Sequence, residues 1–437
     1  MTELSSPCVN FSETSFDEFL ETRREPAWLL SLRRAAWQTY CDGDWPTRSD
    51  EEWMRTDLRS FRLERFAPPM AGGGSLRVDG LLSRNVELAG NVASADGSLV
   101  EQHLADEVRQ QGVLFGDWES MLEEHGDLLR PYLEKPLVES SYDKFASLHA
   151  AYWTGGRVLY VPRGIVIKQP LHSISAMGDG KTDLGRTLVI LEEGAEATLL
   201  TETASSDESA TGFHCGCTEI YVGPRARLRF VNLQNWGLGV WHFSQQRVRV
   251  GRDASLQWTT ATLGARLSQV NQHVVLAEPG AESQVNGVLF TEGKQHATCN
   301  SLQHHAATDC RSDFLYKSAL QDTSRTVWRG MIKVDQCAQR TDGYQRNDNL
   351  LLSTRARADS IPGLEIEADD VRCTHGSTSG RVDEELIFYL QCRGFTRKEA
   401  IRTVVTGFFQ QIFDRITIES VREAMSNAIA RRVRDYE

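Results

Sequence analysis

The sequence predicts a mainly β protein with a solenoid of stacked β-coils at its centre and a helical region on either side. The central prediction depends on a repeat, Gly-x-x-small-x-aliphatic, which begins at Gly194, Gly223, Gly251 and Gly280, so that successive copies start 28 or 29 residues apart. A constant period of this length is typical of solenoids, whose units bury their apolar face only against their neighbours. A β-sandwich is the alternative, but sandwich turns usually recur every ~8 to 12 residues. We also expect the repeat glycines to supply a positive φ at a recurring corner.

Apolar residues spaced three and four apart predict helices on both sides of this repeat. Before it, the predicted helical stretches are residues 12–66 and 99–135. After it, a helix that starts at Asp383 and ends at Gly394 precedes a capping box that begins at Thr396. A continuous apolar face then extends to residue 416, and a third helix covers roughly 419–434.

These segments divide the chain into three predicted units. The first is a helical region at residues 1–140, and the second is a β-helix core at 141–375. The third is a helical domain at 376–437, whose wide aromatic face either caps the solenoid or docks a partner.

The composition excludes several classes of protein. The 437 residues carry a formal net charge of −12, and a nucleic-acid-binding surface needs the opposite sign. No apolar run approaches the ~20 residues that a membrane span requires. The N-terminal residues lack a basic stretch followed by an apolar one, so no secretion signal is expected. Together with nine scattered cysteines, these features favour reduced thiols in the cytoplasm.

Motifs for nucleotide or hydrolytic chemistry are incomplete. The stretch from Gly178 to Thr182 resembles the end of a P-loop, but Ser175 occupies the position of the first glycine. There is no Gly-x-Ser-x-Gly elbow and no His-Glu-x-x-His pattern. Carboxylates at Asp342, Asp348 and 369–370 could serve a β-helix enzyme that cleaves polysaccharide. Carboxylates in turns, however, more often cap the backbone or face water.

Cysteine and histidine, which suit iron and zinc as ligands, are concentrated in two further places. Cys215 and Cys217 form a short pair, and a second group falls within fifteen residues: His296, Cys299, His304, His305 and Cys310. Because successive side chains of a strand point to opposite faces, few of these groups could converge. Ordinary positions in the solenoid wall are therefore the favoured interpretation.

Cys373 and His375, separated by one residue, form a different kind of candidate site. In an extended chain this spacing places the thiol and the imidazole on the same face. Such a pair could bind iron or transfer sulfur, or it could simply lie at a bend. Two ligands do not complete a tetrahedral site, so a functional pair needs further ligands from elsewhere, for instance from another chain.

Longer stretches resemble the SufB/SufD family of iron–sulfur cluster assembly proteins. The string LEIEADDVRCTHGSTSGRVDEELIFYLQCRGF, residues 364–395, is similar to the family's C-terminal signature, and residues 159–175 and 328–362 fit the same family. Residues 25–58 resemble its N-terminal segment, so the resemblance covers nearly the whole chain. Within the family, Cys373-Thr374-His375-Gly376 has the form of the SufD branch, whereas SufB has Cys-Glu-His-Glu and an N-terminal cysteine cluster.

The resemblance implies a right-handed parallel β-helix between helical regions, in a scaffold subunit without enzymatic turnover of its own. It implies pairing with SufB through the β-helix edge, or with itself where SufB is absent, and docking of the SufC ATPase on the C-terminal helices. His375 is the implied site residue for a nascent iron–sulfur cluster at the SufB interface and for iron acquisition, with Cys373 a weaker candidate. The isolated chain is expected to hold no stable cofactor. The residues expected to contact SufC are Phe388, Tyr389, Phe408, Phe409 and Phe413.

Two other interpretations stay open at this point. One is an extracellular type of β-helix enzyme that acts on polysaccharide, against which the missing secretion signal and the free cysteines count. The other is SufB itself with a stable cluster of its own, against which the Cys-x-His-Gly form counts.

Overall fold

The computed structural model describes residues 11–69, 76 and 78–433. Strands predominate in this part of the chain and wind into a β-solenoid of about eight turns, with helices before and after it. The predicted fold class, a mainly β protein with a β-helix core between helical regions, is therefore confirmed. Cys8 and the outer ends of the predicted terminal domains, at 1–10 and 434–437, lie outside the described residues.

The N-terminal part combines helices with short strands. In chain order its elements are α1 (Glu13–Glu21), α2 (Ala27–Asp42), a 3₁₀ turn (Leu63–Arg65), β1 (Gly90–Ala95), β2 (Ser98–Leu104), α3 (Asp106–Gln110), β3 (Leu114–Gly116), α4 (Trp118–Glu134) and α5 (Lys144–Tyr152). Strand β1 pairs with β2 in antiparallel fashion, so the region predicted as helical also contains strands.

Two of the helical predictions are wrong in part. Residues 44–62, inside the predicted stretch 12–66, form turns and irregular chain, and their side chains Trp53 and Phe61 are buried in an aromatic cluster. Residues 99–104, inside the predicted stretch 99–135, belong to β2. In both segments the apolar spacing reflects which side chains are buried by tertiary contacts, and these contacts override local helical preference.

Seventeen strands follow along the solenoid. They are β4 (Gly156–Val161), β5 (Leu171–Met177), β6 (Lys181–Asp183), β7 (Arg186–Leu191), β8 (Glu196–Ser205), β9 (Thr211–Val222), β10 (Arg227–Asn235), β11 (Gly239–Val250), β12 (Ser255–Thr262), β13 (Leu267–Leu276), β14 (Glu282–Thr291), β15 (His296–His305), β16 (Arg311–Leu320), β17 (Arg325–Val334), β18 (Thr341–Leu351), β19 (Arg357–Ile366) and β20 (Val371–Arg381). Strand β20 thus continues beyond residue 375, the predicted end of the β-helix core.

Each full coil contributes one strand to each of two sheets. The first sheet has the order β2-β1-β5-β8-β10-β12-β14-β16-β18-β20. The second sheet has the order β3-β4-β7-β9-β11-β13-β15-β17-β19, with β6 paired beside β9. Within each sheet the successive coils pair in parallel, as a stacked solenoid requires. One end of each sheet is therefore formed by the N-terminal strands, and the other end by β19 and β20.

A left-handed corner recurs in the coils, but not in the register that the glycine repeat predicts. Strand pairing aligns Gly194 with Arg225, Asp253 and Gly280, and these four residues have φ values of 69°, 58°, 54° and 75°. The prediction of a positive φ is therefore confirmed at the two glycines and wrong at Gly223 and Gly251. There the corner falls two residues later, on arginine or aspartate.

Gly223 and Gly251 are required for a different reason. A Cβ at Gly223 would lie 2.6 Å from a carbonyl oxygen of the preceding coil, and one at Gly251 would lie 3.0 Å from the equivalent oxygen. These distances are shorter than a side-chain carbon tolerates, so any other residue would push neighbouring coils apart. The sequence repeat thus records a close approach in two coils and a backbone corner in the other two.

The C-terminal helices pack on the outer face of the first sheet. They are α6 (Glu384–Cys392), α7 (Arg397–Phe413) and α8 (Glu419–Arg432). The predicted capping box is present: the Glu399 backbone N–H donates to Thr396 Oγ1 at 3.3 Å, and the Thr396 N–H donates to Glu399 Oε2 at 2.8 Å. Val405 and Phe409 of α7 are buried against Leu315 and other apolar residues of the solenoid wall.

Candidate functional site

Cys373 and His375 lie on β20, the last strand of the first sheet. This strand pairs with β18, and its register places Cys373 beside Gly343 and His375 beside Gln345. Within the described residues no strand pairs with the other edge of β20 or with the outer edge of β19. The two candidate ligands therefore belong to the final coil, at the open end of the solenoid.

Strand register shows that the His375 side chain occupies an interior position. The residues aligned with it in earlier coils form what we call the His375 column, and all of them are buried: Leu199, Phe230, Trp258, Val285, Phe314 and Gln345. His375 is nevertheless exposed, because no further coil of the described chain covers it. Cys373, two residues earlier, points to the same side, as the spacing predicts.

The surroundings of Cys373 are apolar. It is half-buried and packs with Ile332, Val334, Ala338 and Ala368, which form a small cluster beneath the last coil. Burial raises the pKa of the Cys373 thiol above its ordinary value, so the neutral form predominates at physiological pH in the isolated chain. A bound cation would be needed to favour the thiolate.

Two polar features lie next to His375. The buried amide of Gln345, directly beneath it in the column, donates to the Gly363 carbonyl at 3.0 Å, while its Oε1 has no hydrogen-bond partner among the described residues. Two residues further along β20, on the same face as His375, Ser377 Oγ donates to Ser360 Oγ at 2.9 Å and thereby joins β20 to β19. The imidazole itself projects into a space bordered by hydrogen-bonding groups and open to solvent.

Sequence reasoning missed the apolar border of this open end. Leu364 and Ile366 on β19 align with the fully buried Ile332 and Val334 of the coil below, yet each is 39% exposed. Their alternation with Glu365 and Glu367 is typical of a half-buried strand. Only the number of coils could show that no later coil of the described chain covers them. Exposed apolar positions around two potential ligands are typical of a surface that another molecule covers.

No group of three or more histidine, cysteine, aspartate or glutamate side chains suited to hold a metal ion occurs in the part of the chain that the structure describes. Cys373 and His375 thus offer two ligands at most, and a complete coordination shell would need ligands from outside the chain. The arrangement can present a thiol and an imidazole to a metal, but it does not enclose one.

The other predicted ligand groups are placed in the wall. His304 is 2.9 Å from Asp335, and His305 Nε2 is 2.7 Å from Ser312 Oγ, on opposite faces of β15. Cys299 and Cys310 are buried in the solenoid core, and Cys215 and Cys217 are buried elsewhere. Burial raises the pKa of Cys299 to about 12, which suits a packing role better than a ligand role.

Two of the carboxylates considered for polysaccharide cleavage, Asp342 and Asp348, are engaged in ion pairs. Asp342 accepts from Arg372 at 2.5 Å, and Asp348 accepts from Arg346 at 3.0 Å and from Thr378 Oγ1 at 2.6 Å. Asp348 also lies 3.9 Å from Lys317. These contacts join neighbouring strands and neutralise the carboxylates, so they serve the wall of the solenoid.

The aromatic residues predicted to contact a partner divide into two sets. Phe388 and Tyr389 of α6 are 67% and 51% exposed, whereas Phe409 and Phe413 of α7 are buried against the solenoid. Phe408 is half-buried and packs against the same cluster. The direct contact predicted for Phe409 and Phe413 stays a prediction; in the isolated chain the solenoid wall covers their apolar face. Leu386 and Phe395, both exposed, extend the α6 surface instead.

Fold and site together define a β-solenoid whose last coil leaves an imidazole exposed and a thiol half-buried, beside strand edges that no described strand pairs with. Residues 173–408, more than half of the chain, match the family model described as SUF system FeS cluster assembly, SufBD core domain. The chain therefore belongs to the SufBD family, whose role is iron–sulfur cluster assembly.

Three curated relatives give the same result. Proteins named as iron–sulfur cluster assembly SufBD family proteins from Staphylococcus epidermidis, Staphylococcus saprophyticus and Staphylococcus aureus are each 27% identical to this chain over 333 residues. Each match covers 76% of this chain and 71% of the relative. The matches do not distinguish the SufB branch from the SufD branch. Separately, none of the helices in the described part of the chain has the length and apolar character needed to cross a bilayer.

Proposed function

We propose that this chain is the SufD-type subunit of a Suf scaffold complex in the cytoplasm, where it supports construction of a nascent iron–sulfur cluster and the acquisition of iron. The observation that carries the proposal is the position of His375 and Cys373 on interior-facing sites of the last coil, where nothing in the described chain covers them. Iron and sulfide are the cargo of this site. The isolated chain has too few ligands to retain them, so we expect it to hold no stable cofactor and to have no turnover of its own.

A SufB-type subunit is the partner that we propose for the open end. The free edges of β19 and β20 expose unpaired backbone N–H and C=O groups, which favour pairing with another sheet edge. The apolar side chains of Leu364 and Ile366 would be buried by such a partner, and the partner would supply the missing ligands. In its absence a second copy of this chain is the alternative, because the same edge can pair with itself.

The SufD branch is favoured by the glycine after His375. A Cβ at Gly376 would meet its nearest neighbour, Arg346 Cγ, at 3.9 Å, which is an ordinary contact distance. Packing in the isolated chain therefore does not require glycine there, and the glutamate of the SufB form would fit. Because this chain has Gly376 in place of that glutamate, it offers one potential ligand fewer than the SufB form does. This is consistent with a subunit that complements SufB.

A SufC-type ATPase is the partner that we propose for α6. Leu386, Phe388, Tyr389 and Phe395 form an exposed apolar patch on and after this helix, with Glu384 and Glu385 at its start. Strand β20, which carries His375, ends at Arg381, and α6 begins at Glu384. Because only two residues join them, a movement of α6 imposed by the ATPase would be transmitted directly to the strand that carries the proposed site.

The test compares two histidine substitutions in the complete complex. His375→Ala and His103→Ala, the latter exposed on β2 at the other end of the solenoid, are each co-expressed with the SufB-type and SufC-type proteins of the same organism. The complexes are purified without oxygen, and their subunit content, iron and acid-labile sulfide are measured. We expect the His375 variant to assemble normally but to lose most of its iron and sulfide, and the His103 variant to match the wild type.

Two results would contradict the proposal. If the His375 variant failed to assemble, the histidine would be a structural residue of the interface. If it assembled and accumulated iron and sulfide at the wild-type level, the open end would not be the site of cluster construction. If the tagged wild-type chain, purified from its own cells, brought down neither a SufB-type nor a SufC-type protein, the proposed partners would also be contradicted.

A further inference from the structure

A small polar cavity lies inside the solenoid, far along the chain from the open end and with no part in the proposed function. Its volume is about 70 Å³, and it is enclosed by strands of both sheets. Its lining is rich in hydroxyl groups and also contains the charged or titratable side chains Arg157, Asp183, His214 and His242. This polar lining contrasts with the rest of the solenoid core, which is packed with apolar side chains.

Arg157 on β4 is the group that requires explanation. It is 5% exposed, and its guanidinium makes one hydrogen bond, which it donates to Ser175 Oγ. Its Nε is buried without a hydrogen-bond partner among the described residues. A guanidinium carries five N–H donors, and each unpaired donor away from water is costly. Most of the hydrogen-bonding capacity of Arg157 is therefore unused by the part of the protein that the structure describes.

Other buried arginines show what is missing at Arg157. Arg33 pairs with Glu25 at 2.6 Å, and Arg186 pairs with Glu219. Arg157 forms no salt bridge with any described carboxylate; Asp183, the charged group that influences it, is too distant for a direct ion pair. Burial lowers the pKa of Arg157 to about 10, so it keeps its positive charge at neutral pH. No described carboxylate therefore accepts directly from the N–H groups of Arg157, although the charge of Asp183 lies in the wall of the same cavity.

The remaining polar groups restrict what could neutralise this charge. Asp183 accepts from the Gly185 N–H at 2.7 Å and lies 3.5 Å from His214 Nδ1, so one carboxylate already occupies part of the wall. A second, doubly charged anion would be repelled by it. His242 Nδ1 lies 2.8 Å from Ser268 Oγ, and burial holds its pKa well below the ordinary value, so it adds no positive charge.

The cavity volume restricts the size of the ligand. About 10–15 Å³ of such volume suffices for one water molecule, so a cavity of about 70 Å³ has room for a small inorganic ion together with water. Phosphate and sulfate are disfavoured by their double charge beside Asp183, and organic acids as large as gluconate are disfavoured by their size. We infer that the cavity is a binding site for one small monovalent inorganic anion, held by the free N–H groups of Arg157 and by threonine and serine hydroxyls of the surrounding coils.

The first test uses the full-length wild-type chain with bromide as the probe. Crystals grown in sodium bromide are examined by anomalous diffraction at the bromine absorption edge. We expect a peak within hydrogen-bond distance of the Arg157 guanidinium inside the solenoid. Ordered water alone at that place, without an anomalous signal, would overturn the inference, and this measurement does not depend on whether any variant folds.

The second test measures the same site in solution. The melting temperature of the wild type is followed as bromide or chloride replaces gluconate, which is too large for the cavity, at constant ionic strength. Since a ligand that binds only the folded chain stabilises it, we expect a rise of roughly 1–2 °C for each tenfold increase in halide above saturation. Arg157→Met should abolish this dependence and the bromide peak.

Arg249→Met is the matched control, because Arg249 is on the outer surface and half exposed. It should retain the halide dependence of the wild type. A bromide peak without any halide dependence in solution would mean binding at crystal concentration only and would count against the inference. An equal dependence in the wild type and in the Arg157 variant would assign the effect to the surface and would also overturn it.

Discussion

The two ends of the solenoid are closed in different ways. At the N-terminal end, Leu104, Val113 and Phe115 of the region around β2 and β3 join the interior core and cover it. The outermost strand there, β2, exposes Glu101 and His103, and charged or polar edge strands discourage pairing with other chains. At the C-terminal end the interior columns simply stop, and Leu364, Ile366 and His375 are left uncovered.

This difference matches the proposed division between an end that stabilises the solenoid and an end that binds a partner. A solenoid needs caps because its terminal coil has no neighbour on one side. One end has such a cap within the chain, whereas the described chain provides none at the other. The uncapped end also carries β20. Among the described strands of the first sheet, β20 alone places a thiol and an imidazole on one interior face. We therefore expect substitutions at aligned positions of the His375 column to destabilise the fold strongly in a middle coil and weakly in the last coil.

The sharpest test compares two residues of the His375 column. Phe314→Ala removes a fully buried ring from a middle coil and should lower the free energy of unfolding by about 3–5 kcal/mol. His375→Ala, at the aligned position of the last coil, should change it by less than about 0.5 kcal/mol, because the imidazole is exposed. Guanidinium denaturation of the isolated chain measures both. Equal destabilisation by the two substitutions would show that the open end is covered in the isolated chain.

The C-terminal helices also contain one buried and one exposed aromatic position, Phe409 and Phe388, that can be compared. Phe409→Ala opens a cavity between α7 and the solenoid wall and should lower the free energy of unfolding by about 3 kcal/mol. Phe388→Ala, on the exposed side of α6, should leave stability nearly unchanged but weaken binding of a SufC-type ATPase. Denaturation and calorimetric titration with that ATPase distinguish the two effects. Loss of ATPase binding without loss of stability in the Phe409 variant would reverse the assignment of the helix faces.

The covered N-terminal side should also show a pH effect. Asp143 caps α5 through a 2.7 Å hydrogen bond from the Ala146 N–H, and burial raises its pKa from 3.8 to about 6. The folded chain therefore binds a proton more readily than the unfolded chain between these values, and this contribution to stability is lost as pH rises from about 4 to 6. Asp143→Asn keeps an acceptor for the cap and removes the ionisation.

Relative to wild type, the stability of the Asp143→Asn variant should rise between pH 4 and pH 7 by about 2–3 kcal/mol, which corresponds to the pKa change of Asp143. Urea denaturation at several pH values measures the difference. Asp44→Asn, at an exposed position, controls for simple loss of a carboxylate. A constant difference between the Asp143 variant and wild type across this range would show that the carboxyl is hydrated in solution.

Much of this architecture could be predicted from residue patterns, because repeats and spacing depend on local rules. The glycine period reveals the solenoid, and the spacing of Cys373 and His375 reveals their common face. The register of the corner could not be predicted, because arginine and aspartate occupy the left-handed position in two coils. Strand β2 was also beyond local pattern, since its conformation depends on pairing with β1, a tertiary contact.

The open end of the site illustrates a further limit. The spacing of Cys373 and His375 is enough to predict that they share a face. Whether this face is covered depends on the number of coils and on the path of the chain after β20. For the same reason the burial of Phe409 and exposure of Phe388 could not be separated in advance, since both lie in apolar helical patterns. Patterns identify apolar faces, whereas the three-dimensional arrangement decides which faces remain free.

The smallest expected change in stability concerns the N-cap of α7, which lies between the exposed helix α6 and the buried helix α7. Thr396 Oγ1 accepts from the Glu399 N–H and caps α7, so Thr396→Ala should lower the free energy of unfolding by about 1 kcal/mol. Thr403→Ala, on the exposed face of the same helix, is the matched control. It removes a hydroxyl of the same type but introduces a better helix former, so it should be neutral or slightly stabilising.

The two threonine variants also sharpen the distinction between packing and docking. If α7 is held mainly by its buried face, loss of the cap should weaken the first turn of α7 without releasing the helix from the wall. Hydrogen exchange should then increase at the backbone amides of residues 397–400 and remain slow around Val405 and Phe409. Because α6 is joined to α7 through this turn, ATPase binding should weaken slightly in the Thr396 variant and remain unchanged in the Thr403 variant. Fast exchange along the whole of α7 would instead show that the cap, and not the buried face, holds the helix in place.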